Sequence, residues 1–370
     1  MSREKRSTAF RHDAPERTAI VLVQLGTPSA PTPAAVRRYL AEFLSDPRVV
    51  ELPRPLWWPI LHGVVLRTRP RRSAAKYAAI WTADGSPLRT YTERQATLLR
   101  GWLGDRGHDV DVASAMRYGE PSLPAVLAAL RERNLRRLLV LPLYPQYSGA
   151  TTASAFDAVC AELSRWRDLP ELRLVRNFHD APQYLDALAT RIRQAWGNDG
   201  PPQRLVMSFH GMPQRTLELG DPYHCECLAT ARLLAQRLQL DASQYVVGFQ
   251  SRFGAAQWLQ PYTGATLAEL GRAGTGRVDV VCPGFVSDCL ETLEEIEIEG
   301  KAAFRQAGGG EFRYIGCLND SPAWIDALAA IAERHLAGWP TRRAGRDAQA
   351  AHDAALAARK DRAVRAGARQ

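Results

Sequence analysis

Arg204-Leu205-Val206-Met207-Ser208-Phe209-His210-Gly211-Met212-Pro213 is a short apolar run that stops abruptly. Period-two alternation puts Val206, Ser208 and His210 on one face of a strand and Leu205, Met207 and Phe209 on the other. Gly211 and Pro213 end it. In an open α/β sheet, ligands sit in the crevice at the carboxyl ends of the strands. His210 stands at that end, with a ring that serves as acid, base or metal ligand near neutral pH. A lone histidine there is more often a strand-end side chain bonded to a loop, so the rest of the chain has to decide between the two readings.

Outward from this strand the pattern repeats. Strands are predicted at Thr18–Leu25, Val110–Met116, Arg137–Pro142 and Glu171–Val175, then at Leu205–Phe209, Tyr245–Phe249, Val278–Cys282 and Phe312–Ile315. Helical periodicity fills the intervals, as at Pro33–Leu44 (capped by Thr32, with Pro33 at the first position), Cys225–Leu238 and Leu290–Phe304. Strands alternating with helices imply parallel sheets covered on both faces. Two rounds of four strands predict two similar halves, residues 18–175 and 176–340, between a basic extension (1–17) and a basic Ala/Arg-rich tail (341–370) read as a frayed helix or disorder. Pro53–Pro70, rich in Pro, Trp and Leu and closed by Arg67, Arg69, Arg71 and Arg72, fits neither strand alternation nor a clean amphipathic helix. It reads as an apolar lid, a membrane-contacting lip or a buried arm.

The composition of this 370-residue chain is globular, with 46% hydrophobic and 24% charged residues. Its net charge of +9 lies mostly at the ends, where residues 341–370 hold eight Lys/Arg against three Asp. A nucleic-acid protein would carry its charge on a folded face instead, so no nucleic-acid partner is expected. The start has no apolar core for secretion, and the run Leu56–Leu66 is too short to span a bilayer. Six cysteines (160, 225, 227, 282, 289 and 317) form no Cys-x-x-Cys pair. A cytoplasmic protein is expected, open to peripheral contact at the inner face of a membrane.

Several chemistries are excluded by motif. No G-x-G-x-x-G follows a strand, and there is no Walker A, H-E-x-x-H or G-x-S-x-G. Ser208 shares a face with His210 but sits two residues away on the same strand, poor geometry for a nucleophile and its base. The second informative stretch is Val281-Cys282-Pro283-Gly284-Phe285-Val286-Ser287-Asp288-Cys289-Leu290-Glu291-Thr292-Leu293-Glu294-Glu295. A strand ends, Pro-Gly turns the chain, and a helix starts that carries Glu291, Glu294, Glu295, Glu297 and Glu299. At α-helical spacing Glu291, Glu295 and Glu299 share a face where like charges repel. Solvent or a cation must relieve that repulsion.

The stretches LVMSFHGMP (205–213), RTLELGDPYHCEC (215–227), VVGFQSRFGAAQWLQPYT (246–263) and VDVVCPGFVSDCLETLEEIEIEG (278–300) resemble the ferrochelatase family. So do LVQLGTP (22–28), the turn Met116–Gly119 and LPLYPQYSGATT (141–152). The resemblance runs from about residue 18 to residue 335. It implies two Rossmann-like, chelatase-type halves, each a four-stranded parallel sheet flanked by helices, with a porphyrin in the cleft between them. It implies insertion of Fe(II) into protoporphyrin IX with release of two protons, the last step of haem synthesis. It also places His210 and Glu291 on opposite sides of the macrocycle as catalytic and metal-facing groups. The Glu291–Glu295–Glu299 ladder reads on spacing alone as a solvated face, and against that Glu295 and Glu299 are candidates for a metal or proton path. Leu25, Tyr77, Tyr118, Trp258 and Phe285 match pocket-lining positions, and Arg117 and Ser148 are candidates for the propionates.

Two departures from the family narrow the expectation. Cys289 stands where some members have His, which removes one metal relay. Gly149 stands where some relatives have Cys, and no cysteine follows Cys317, so no [2Fe–2S] cluster or other resident cofactor is expected; porphyrin and Fe(II) are substrates. The alternatives are a chelatase for coproporphyrin or for cobalt in a related tetrapyrrole, or a non-catalytic porphyrin or haem carrier. A carrier needs the aromatic pocket but neither His210 nor the acidic helix. Protoporphyrin against coproporphyrin, and monomer against homodimer, stay open.

Overall fold

The computed structural model describes residues 12–254, 256–343 and 346–368. Eight strands form two four-stranded parallel sheets. The first contains β1 (Arg17–Gly26), β2 (Asp111–Tyr118), β3 (Leu135–Pro142) and β4 (Glu171–Leu174), in the order β2-β1-β3-β4. The second contains β5 (Arg204–His210), β6 (Tyr245–Gln250), β7 (Arg277–Val281) and β8 (Glu311–Ile315), in the order β6-β5-β7-β8. Residues 19–23 of β1 and 205–209 of β5 are completely buried, as strands covered on both faces must be.

Alternation sorts the core. Ile20, Leu22, Leu139 and Leu141 point into one apolar cluster, while Ala19, Val21, Val23, Leu138 and Val140 point into another beneath the outer helices. Leu205, Met207 and Phe209 of β5 join the first of these clusters, so both sheets share a single dry interior. Helices Pro182–Trp196 and Pro322–Leu336 complete that interior. The latter packs against helix Pro87–Asp105 and strand β3 of the first half. Each buried Leu, Ile or Phe contributes about 1.5–3 kcal/mol, and the shared cluster of them joins the two halves.

In each sheet the first strand lies between its next two partners, which makes its carboxyl end the switch point where a crevice opens. At the end of β1, Gly26 has φ 117°, and an added Cβ would fall 1.8 Å from the Tyr118 carbonyl oxygen. At the end of β5, a Cβ on Gly211 would meet the Gln250 carbonyl oxygen at 2.5 Å. Only glycine fits at either place.

Three segments differ from the sequence reading. Pro53–Pro70, which matched no regular period, falls in a helical stretch: Arg54–Ile60 and Leu66–Ile80 are α-helices joined by a π-helical turn, Leu61–Val65. Pro59 and Pro70 lie inside these helices. The segment was hard to read because only a narrow stripe (Trp57, Leu61, Leu66, Pro70, Ala74, Tyr77, Ile80) is buried, while Leu56, Trp58, Ile60 and Val64 face outward. The predicted α-helix from Leu290 is an i→i+5 helix over Leu290–Gly300, followed by a short α-helix, Lys301–Gln306. The folded body also continues past Pro340. Thr341 is buried, its carbonyl accepts from Asp109 N at 2.7 Å, and its hydroxyl bonds His108 Nδ1 at 2.7 Å. The tail then forms helix Arg346–Arg365, whose Arg359 and Lys360 meet the His12 carbonyl and the Asp13 carboxylate. Of the two basic ends, residues 1–11, 344–345 and 369–370 lie outside the described residues.

Candidate functional site

His210 closes β5 half-buried, with its ring centroid 6.4 Å from that of Phe285. Its Nδ1 lies 2.6 Å from the Gly211 carbonyl oxygen. A carbonyl only accepts, so Nδ1 is the donor, and in the neutral ring Nε2 keeps the lone pair. Trp258 pairs as a bridge with Pro213 and lies against Gly211, 3.2 Å from where a Cβ would be. His210, Phe285 and Trp258 thus gather at the second switch point.

Leu25, Tyr77 and Tyr118 gather at the first. They belong to one apolar cluster with Tyr39, Trp57 and Leu66, and Leu290 and Leu293 pack against it. The helix carrying Glu291 therefore leans on the first half. Its start is also tied to the second half, because Gln250 Nε2 donates to the Glu291 main-chain carbonyl at 2.7 Å. The Tyr77 hydroxyl is pushed well above the usual phenol range, first by burial and next by the Glu291 carboxylate. Burial, then Tyr77 and Glu291, do the same to Tyr39. Both stay protonated donors beside Glu291.

The i→i+5 helix changes the acidic ladder. Residues five apart now stack, so Glu294 and Glu299 reach the same cation, Lys76 Nζ, at 2.9 and 2.8 Å. Glu295 turns to Ser251, accepting from its N and its Oγ at 2.6 Å each. The single face expected for Glu291, Glu295 and Glu299 is therefore split three ways. Burial raises the pKa of Glu294 despite the opposing Lys76 charge, and burial also raises that of Glu297.

Neither propionate candidate presents itself as expected. The Arg117 guanidinium lies over the Tyr118 ring at 4.5 Å, donates to Asp46 Oδ2 at 2.5 Å and to Ser154 Oγ at 2.8 Å. The Tyr118 hydroxyl also donates to Asp46, at 2.8 Å, so fully buried Tyr118 offers the pocket no polar group. Ser148 is buried as the cap of the π-helical turn Gly149–Ala153, beside the Asp221 carboxylate, which accepts from Gly149 N at 2.7 Å. A second carboxylate there would be repelled. An arginine that the sequence reading did not single out, Arg69, lies close to Glu291 and Tyr77. It is half-buried over the Phe253 ring at 4.6 Å, and burial lowers its pKa against the pull of Tyr77, Glu291 and Tyr39. Its only sequence signal was membership of the arginine run after Leu66.

The four buried thiols, Cys227, Cys282, Cys289 and Cys317, are all pushed well above the usual thiol range, first by burial. They are poor thiolate ligands. The groups left for a hard or borderline cation are imidazole and carboxylate, which suit Fe(II).

Comparison with known proteins agrees with this chemistry. The sequence model of the family described as ferrochelatase matches residues 17–336. The chain is 60% identical over 346 residues to a ferrochelatase of Polaromonas sp., covering 92% of this chain and 94% of that one. It is 62% identical over 336 residues to a ferrochelatase of Methylibium petroleiphilum, covering 91% and 93%. Among solved structures, SirB from Bacillus subtilis with Fe3+ is similar at TM-score 0.51 and 15% identity, over 70% of this chain and 96% of that one, a likeness of fold.

The Asp46 cluster makes a testable pH signature. Burial alone would raise the Asp46 pKa, but bonds from Ser154, Arg48 N and Tyr118 and the Arg117 charge outweigh it and hold it low. A depressed folded value adds stability above the ordinary Asp pKa, and that stability is lost as pH falls through the folded value. Asp46→Asn should cost about 2 kcal/mol at neutral pH, the order for hydrogen bonds to a buried charge. By urea unfolding, the gap from the parent should narrow in acid. A gap that does not change with pH would rule out the charge as its source.

Proposed function

The chain belongs to the ferrochelatase family, and from that premise we infer which of its residues carry the reaction. The reaction itself is insertion of Fe(II) into a porphyrin in haem synthesis. Iron must lose water, two pyrrole protons must leave, and the ring must be held while both happen. We assign proton acceptance to His210 and contact with the incoming iron to Glu291. The observation carrying this reading is the bond from His210 Nδ1 to Gly211 O, which leaves Nε2 as the basic nitrogen at the strand end. The iron side is supported by the acid-rich helix around Glu291, whose negative field attracts a cation.

Leu25, Tyr77, Phe285 and Trp258 supply apolar and aromatic surface for the flat macrocycle. We move the propionate role from Arg117 and Ser148 to Arg69. Its guanidinium stays charged and planar and gains most from a carboxylate when already desolvated. Glu295 remains a candidate for the path. Glu299, bound to Lys76, is proposed instead to brace the helix against Leu66–Ile80. Iron enters as substrate, and with the buried thiols protonated we propose no resident iron–sulfur cluster.

His210→Ala and Glu291→Gln should each lower the insertion rate by roughly 100-fold or more, the order for a lost acid–base group, while porphyrin still binds. Glu295→Gln should cost less, and Glu299→Gln should stay within about twofold on rate, as expected of a surface charge. Steady-state rates with Fe(II) under anaerobic conditions, beside fluorescence-quenching affinities, decide this. Near-normal turnover in His210→Ala, or equal small effects at all three glutamates, would overturn the assignment.

Arg69→Met should weaken porphyrin affinity for a dipropionate ring by about 1.5–3 kcal/mol, the worth of a bond to a charged group. It should leave affinity for the dimethyl ester unchanged. An equal loss with both ligands would remove the propionate role.

We also propose that the outer face of residues 52–64 docks on an anionic lipid surface. Leu56 is 64% and Trp58 45% exposed, with Leu52, Ile60 and Val64 alongside, and Arg54, Arg67, Arg71 and Arg72 exposed on the same helical segment. No described helix is long and apolar enough to cross a membrane. An aromatic and aliphatic patch rimmed by cations fits an interface. Sedimentation with phosphatidylcholine vesicles should require added phosphatidylglycerol, weaken with salt, and disappear in the triple variant Leu56→Ser, Trp58→Ser, Ile60→Ser. Failure of the parent to sediment would end the proposal. So would a homodimer abolished by the same variant.

A further inference from the structure

We infer that Gln250 is a positioning residue that fixes the His210 strand end against the first turn of the Glu291 helix. The inference rests on reading those two side chains as the pair that faces the ring. Gln250 is the register partner of His210 in β6 and is 4% exposed. Its main-chain carbonyl accepts from Gly211 N at 2.8 Å, holding the turn that follows His210. Its side-chain amide is fixed at both ends. Oε1 accepts from Ser208 Oγ at 2.6 Å, and Nε2 donates to the Glu291 carbonyl at 2.7 Å.

The direction of these bonds is determined. Thr263 Oγ1 lies 2.8 Å from Ser208 Oγ, and since Ser208 donates its one proton to Gln250, Thr263 donates to Ser208. The hydrogens run from Thr263 through Ser208 and Gln250 to Glu291, each bond polarising the next. In an i→i+5 helix the Glu291 carbonyl already accepts from Ile296 N–H. The bond from Gln250 therefore does not rescue an orphaned acceptor. It adds a tie between two elements whose separation sets the distance from His210 to Glu291. Ser251 repeats the grip one turn further on, bonding Glu295 twice. It does so at φ 65°, a left-handed conformation uncommon for serine. Strain of that kind persists only where the surroundings over-determine the backbone.

Insertion needs two groups registered on one small ring, and a misplacement of about 1 Å can cost roughly 100-fold in rate. The test uses the full chain with Gln250→Leu, which keeps volume, and Gln250→Asn, which keeps polarity but cannot span both partners. Rates are taken per porphyrin-titrated site, so unfolded protein does not enter. Both variants should lose at least about tenfold in kcat on that scale, with porphyrin affinity and the pH of half-maximal rate close to the parent's. Ser208→Ala, which leaves the bond to Glu291 in place, should lose far less. Parent-like kcat per site in the Gln250 variants, affinity falling in step with rate, or an equal loss in Ser208→Ala would overturn the inference. Glu291→Gln, which keeps the main-chain carbonyl, runs beside them. If it is active, the underlying pair has failed. If it is inactive while the Gln250 variants are normal, only the positioning role has failed.

Discussion

A parallel sheet has to be covered on both faces, and in this chain the two sheets meet that demand with one common interior. Leu205, Met207 and Phe209 of β5 reach the same cluster as Ile20 and Leu22 of β1, with Tyr184 packed edge-on against Phe178 and Trp324 in the same interior. An interior packed to crystal-like density resists sliding. The two switch points are thereby held at a fixed separation, and the helix from Leu290 can rest its apolar side on one half while a carbonyl of its first turn is bonded to the other.

The strands were legible because burial on both faces leaves little choice of residue. Most lie where apolar runs ended in Gly, Pro or a charge, and His210 stood at the end of β5, an interior strand of its sheet. What the sequence hid has a common cause, since it depends on a partner far away in the chain. Arg117 and Ser148 looked free to meet an anion, but Asp46 and Asp221 already occupy them from 71 and 73 residues away. The i→i+5 helix was hidden for a subtler reason. Residues 290–300 match an α-helical period well enough, and only Lys76, Ser251 and Gln250, which belong to other elements, reveal which neighbours stack.

The segment 54–80 illustrates the opposite difficulty. Its prolines argue against a helix, at about 3 kcal/mol for each in a helix interior. Yet Trp57, Leu61, Leu66, Ala74, Tyr77 and Ile80 all bury against the first half, and the Trp57 indole donates to the Leu44 carbonyl at 2.7 Å. Several side chains at 1.5–3 kcal/mol each outweigh two prolines. Tertiary packing decides the conformation here, and it leaves the remaining apolar side chains facing outward.

Five glutamates in nine residues would ordinarily repel one another, and the way the fold relieves that repulsion differentiates them. Glu294 and Glu299 share one lysine, so two negative charges are partly cancelled by a cation that belongs to the first half. Glu295 is held by a backbone amide and a hydroxyl, which stabilise its charge without neutralising it. Glu291 is left beside two phenols that stay protonated and the half-buried Arg69 guanidinium. The helix thus has one side anchored by Lys76 and an end, at Glu291, that faces the aromatic cluster and Arg69. Imidazole and carboxylate bind Fe(II) less tightly than thiolates would, and the thiols nearest this end are buried and protonated. A site that must surrender its metal to a porphyrin gains from that weakness, because iron held by thiolates would leave slowly.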